Sequence, residues 1–81
     1  MVRVSGKSDG EQHLVQVGDA IRARRQAASL SQEELADSSG LDRSHLGRIE
    51  RGERNLTLMN LLRIARALNA PASSILQEAG F

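Results

Sequence analysis

Leucines recur at a fixed offset from small polar residues through the middle of the chain. Leu30, Ser31 and Leu35 form the first such set, Leu41, Asp42 and Leu46 the second, and Leu56, Thr57 and Leu61 the third. A capping residue preceded by one apolar side chain and followed four positions later by another has the spacing of a hydrophobic staple, which fixes how the chain enters a helix. Glu34, three residues after Ser31, can complete a capping box, and Asp42 is a good N-cap for the helix after it. Three helix starts are therefore predicted, the first two helices being joined by a tight turn at Gly40. Leu14, Val17, Ile21 and Ala28 give helical spacing to an earlier segment ending near Ala28. Leu58, Leu61, Leu62, Ala65 and Leu68 form one apolar stripe on the third capped helix, expected from about Leu58 to Leu68. Asn69 can end that helix in a left-handed conformation, and Pro71 then opens a short last helix carrying Ile75 and Leu76. The expected fold is all-α, a compact five-helix bundle.

Residues 1–13 are polar, with two glycines, and are expected to form a flexible arm, with a helix starting after Asp9; residues 14–81 form a single domain. A chain of 81 residues supports one modest core. Its 40% of apolar residues is almost all Leu, Ile, Val and Ala, with Phe81 as the one aromatic, so the core is expected to be thin and oligomerisation to add stability. The tail QEAGF is expected to fray unless Phe81 docks on a partner. The absence of cysteine removes disulfides and thiolate metal sites. With no membrane-length apolar run and no signal-peptide pattern, a soluble cytoplasmic protein is expected.

A net charge of +1 says little, but its distribution says more. Six arginines lie between Arg43 and Arg66 against Glu50 and Glu53, whereas Glu33, Glu34 and Asp37 sit apart on the first capped helix. At roughly 100° per residue, Arg43, Ser44, Gly47, Arg48 and Arg51 fall within an arc of about 140°, while Leu46 and Ile49 point the other way. One reading of this face is an ordinary solvated surface with a helix-weakening glycine. The other is a cationic helix face matched to the DNA major groove, whose width admits one α-helix. The capped and tightly turned partner helix favours the second.

Arg24 or Arg25 falls where the stripe of the first helix should continue, and a partly buried arginine wants a carboxylate. Glu50, at the edge of the cationic arc, is the candidate, and an Arg25–Glu50 ion pair tying the first helix to the basic one is expected. Met59 and Ile64 fall off the stripe of their helix, which argues for deeper burial or a subunit contact. His13 and His45 are far apart in sequence and read as surface residues, so neither a metal site nor a general base is expected. No cysteine nucleophile or glycine-rich phosphate loop supports an enzyme.

The run LSQEELADSSGLDRSHLGRIERGERNLTLMNLLRIARALN resembles the helix-turn-helix domain of the Cro and phage-repressor (Xre-type) family. The marks are Ser31-Gln32 with Leu35-Ala36, then Gly40, then Ile49-Glu50-Arg51-Gly52, then the helix from Leu61 to Leu68. Within that family the segment LDRSHLGRIERGERNLTL is most similar to the controller proteins of restriction–modification systems. The resemblance implies a sequence-specific transcriptional regulator that binds a palindromic operator in double-stranded DNA as a homodimer. Carried over position by position, it implies base reading by Arg43, Ser44 and Arg48. It implies backbone contacts by Gln32, Arg51, Arg54 and Asn55, and a buried structural ion pair between Arg25 and Glu50. Arg24 departs from the family pattern, which usually has an apolar residue there, so either packing is weaker or its stem covers the core. Glu53 sits amid the phosphate-contacting loop and should weaken that contact slightly. The dimer interface is expected on the last two helices, through Met59, Ile64, Ile75 and Phe81. No metal, cofactor, membrane or small-molecule partner is expected.

The main competing reading is an antitoxin-like protein of the same family that binds and neutralises a protein partner. A nonspecific nucleoid or RNA-binding protein is disfavoured, since the positive charge is concentrated on one helix and its loop and no aromatic platform exists for stacking bases.

Overall fold

A computed structural model describes residues 6–81, with side chains described from residue 11. These residues form five helices: α1 (Gly6–Ala27), α2 (Gln32–Ser39), α3 (Arg43–Glu50), α4 (Leu58–Ala67) and α5 (Ala72–Glu78). The arm expected over residues 1–13 is thus helical from Gly6; residues 1–5 lie outside the described residues.

The three capped starts form as the pattern predicts. Ser31 Oγ accepts from the Glu34 N–H at 3.0 Å, and Glu34 Oε1 accepts from the Ser31 N–H at 2.8 Å, completing the capping box. Asp42 accepts from the N–H groups of Ser44 and His45, and Thr57 from that of Asn60. The helices also end alike. Left-handed residues follow them at Ser29, Gly40, Gly52, Asn69 and Gly80. After each, the next N–H donates to the carbonyl five residues back: Leu30 to Arg25, Leu41 to Ala36, Glu53 to Arg48, Ala70 to Ala65 and Phe81 to Leu76, at 2.9–3.1 Å. This closure satisfies carbonyls that a helix end otherwise leaves unpaired.

One large side chain from each helix fills the centre: Ile21, Leu35, Leu46, Ile64 and Ile75 are fully buried. α1 packs on α3 and α5, α2 on α3 and α4, and α4 on α5. Ile64 and Ile75, expected at a dimer interface, are therefore core residues. An α4 helix with apolar residues on so many sides has no unique inward phase, and its neighbours choose one. They turn Leu61, Ile64 and Ala65 inward and leave Leu58 and Leu62 68% and 41% exposed. Ala28, expected to extend the α1 stripe, is exposed in the turn after that helix.

The α1–α3 crossing is close. A Cβ on Gly18 would lie 2.5 Å from the carbonyl oxygens of both Ile49 and Glu50. Gly52 combines a left-handed φ of 75° with a side-chain position that would meet Val15 at 2.6 Å. At the other end of the bundle, Arg24 Nε donates to Glu78 Oε1 at 2.9 Å, so this arginine ties α1 to α5. The tail is likewise held: Gln16 Nε2 donates to the Ala79 carbonyl at 3.2 Å, and the Phe81 ring meets His13 edge-on at 5.3 Å. The left-handed Gly80 folds the tail back onto α1, so Phe81 meets a residue of its own chain.

Candidate nucleic-acid interface

Asp42 fixes where α3 starts, and burial of Leu46 and Ile49 fixes its rotation. With those two settings made, Arg43, Ser44, Arg48 and Arg51 are all exposed on the opposite face. Gln32 joins them from the first turn of α2. Gln32, Arg43, Ser44, Gly47, Arg48 and Arg51 line one shallow concavity, so the expected base-reading residues share a surface with two of the expected backbone contacts. Arg54 and Asn55 are exposed in the loop after α3. Gly47 is what opens the concavity. A Cβ there would lie 3.3 Å from Arg51 Nη1, tight against the end of that side chain, and 3.5 Å from Gln32 Oε1, an ordinary contact.

Beneath the surface, Glu50 collects three hydrogen bonds. Arg25 Nε donates to Oε2 at 2.7 Å, Arg25 Nη2 to Oε1 at 3.0 Å, and Gln32 Nε2 to Oε1 at 3.0 Å. Arg25 Nη1 also donates to the Leu30 carbonyl at 2.9 Å. Glu50 is 3% exposed, and among the described residues no buried side-chain nitrogen or oxygen lacks a partner. The network joins α1, α2 and α3 through one carboxylate, and a buried charge so fully bonded is rigid. It also turns the negative charge of α3 inward, leaving the outer face cationic. Pairing of Arg25 with Glu50 was legible from the α1 stripe. The third partner, Gln32, was not, because its position gives no sign of which way its amide turns.

The Arg51 guanidinium is also partnered. Its Nε donates to Glu53 Oε2 at 3.0 Å and its Nη2 to Glu53 Oε1 at 3.2 Å. Those bonds hold the Glu53 carboxyl below the ordinary carboxylate range and raise Arg51, with desolvation opposing both. His45 is half-buried at the flank, its Nε2 3.4 Å from Asn60 Nδ2 on α4. Of the expected interface residues, Met59 and Phe81 are exposed, and with Leu58 and Leu62 they are among the large apolar side chains left open to solvent. Among the described residues no three His, Asp or Glu groups are placed to hold a metal ion, and no helix is long and apolar enough to cross a membrane.

Comparison with known proteins finds relatives among helix-turn-helix proteins. A family model described as helix-turn-helix matches residues 21–75. The control protein C.SmaI of Serratia marcescens is 42% identical over 64 residues, covering 79% of this chain and 76% of that one. The crystal structure of the restriction–modification controller protein C.AhdI from Aeromonas hydrophila superposes with a TM-score of 0.76 at 48% identity, covering 76% of this chain and 94% of that one. The immunity repressor of Bacillus phage phi105 is 40% identical over 62 residues, 76% of this chain but 43% of the repressor.

Proposed function

The chain belongs to the Xre-type helix-turn-helix family of DNA-binding transcriptional regulators, and from that premise we propose that it binds a palindromic operator as a homodimer and controls a restriction–modification operon. Identities of 42% and 48% to two controller proteins support the controller reading. The observation that carries the DNA reading is the cationic concavity around Gly47, set in place by the buried Glu50 network.

Arg43 and Arg48 would donate to guanine O6 and N7 in the major groove, with Ser44 reaching a base edge or a phosphate. Gln32, Arg54 and Asn55 would fix the register on the phosphates without reading sequence. Gln32 keeps one amide hydrogen for that contact after donating the other to Glu50. Two copies related by a two-fold axis would read half-sites about one helical turn, ~34 Å, apart. The exposed apolar face of α4, Leu58, Met59 and Leu62, is the surface we assign to the second copy. Its phase takes over the role expected of Ile64 and Ile75.

Selection from a random duplex pool at near-physiological salt tests the proposal. A two-fold palindrome with guanines in each half-site is the expected product. A folded protein that enriches no sequence would refute the operator reading and favour a protein partner.

A further inference from the structure

Arg51 occupies the position of a phosphate contact, yet its surroundings suit a different task. It caps α3 at helical φ and ψ, and side chains on a helix lean toward the N-terminus. One turn back lies Gly47, with no side chain to fill the space. The guanidinium therefore lies back over Gly47, its Nη1 3.3 Å from where a Cβ would be, in the concavity that also holds Arg43, Ser44 and Arg48. It is held there. Gly52, left-handed, reverses the chain, and the Glu53 N–H is bonded to the Arg48 carbonyl at 2.9 Å. Glu53 is thereby pinned beside Arg51 and takes its Nε and Nη2 edge. A guanidinium has five N–H donors in a rigid plane, so the end-on pair from Nη1 and Nη2 stays free.

We propose that Arg51 reads a base, through that end-on edge, and that Glu53 is its positioning residue. The inference rests on the DNA-binding reading above and deepens it. Charge decides between base and phosphate. The Arg51–Glu53 pair is close to neutral, and the carboxylate repels a phosphate, so the pair gains little from counterion release. Guanine O6 and N7 are uncharged acceptors that lose nothing to a neighbouring carboxylate and match the end-on pair. A lone arginine on a phosphate could swivel without penalty; a clamped one is preorganised for a single direction.

The test repeats the duplex selection with Arg51→Ala and Glu53→Gln beside the unaltered protein, then titrates salt with the selected duplex. Both side chains of the pair are more than half exposed, so both variants should keep the parent melting temperature. Each variant is expected to lose guanine preference in the same symmetric column, by roughly tenfold or more, within what a bidentate arginine–guanine contact discriminates. Arg51→Ala combined with Glu53→Gln, which removes the pair without leaving a lone charge, should leave the salt slope unchanged, whereas Glu53→Gln alone, freeing a net positive charge, should steepen it and raise affinity for unrelated DNA. If the double variant weakens every duplex alike, with no column altered, and reduces the slope by about 1, Arg51 is a phosphate contact and the inference fails. A motif from the parent protein with no column altered by either variant also overturns it, leaving the operator reading intact. No motif from the parent protein overturns both.

Discussion

Gly18→Ala provides a sharp test of the α1–α3 packing, because two general rules give it opposite signs. Alanine is the better helix former by about 1 kcal/mol, and Gly18 lies inside a long helix, so local propensity says the change stabilises. Packing says otherwise. The new Cβ would sit 2.5 Å from two carbonyl oxygens on α3, about 0.9 Å short of the 3.4 Å at which ordinary contact begins. Both obstacles are backbone, so no rotamer relieves the overlap, and α1 and α3 must separate along their shared core of Val17, Ile21, Leu46 and Ile49. Overpacking of this kind costs about 1–3 kcal/mol or more. Taking the top of that range for a rigid obstacle and subtracting the propensity gain leaves a loss of about 2 kcal/mol. In a domain of this size that lowers the melting temperature by about 8–16 °C. Thermal unfolding followed by circular dichroism measures it, with Asp19→Ala, exposed and one residue along, as the propensity control. A Gly18→Ala protein that melts with or above its parent would refute the close crossing and, with it, the way α3 is seated.

Glu50→Ala removes the acceptor shared by Arg25 and Gln32 and leaves a half-buried guanidinium unpaired; a loss of about 3–5 kcal/mol is expected, read from the urea midpoint, and a neutral result would sink the structural role of the pair. Leu62→Glu places a charge on the exposed α4 face without touching the core, so sedimentation should show monomers with an intact helical spectrum, whereas persistent dimers would move the interface elsewhere. Ser29→Gly relieves a left-handed residue at φ 60°; against glycine's larger unfolded-state entropy, a net gain of about 0.5 kcal/mol is expected in the same urea experiment. Destabilisation there would mean that the Ser29 side chain contributes something its hydrogen bonds do not show.

The sequence by itself determined what depends on neighbours a few residues apart. The caps at Ser31, Asp42 and Thr57, the turn at Gly40 and the left-handed Asn69 follow from bonds that span five residues or fewer. The cationic face of α3 follows from helical period alone, and the Arg25–Glu50 pair from the cost of an unpaired charge on a buried stripe. Tertiary structure decided the rest. Which way α4 turns is fixed by α2 and α5 packing on it, and they make Ile64 a core residue and Leu62 a surface one. Arg24 meets Glu78 across 54 residues of chain, a pairing no local period encodes. Gly18 is needed because two helices cross there, and a crossing point has no periodic signature. Glu53 reaches Arg51 only because Gly52 reverses the chain between them, so a residue that reads in sequence as a mild obstacle to DNA becomes, in three dimensions, the partner of an arginine that lines the cationic concavity.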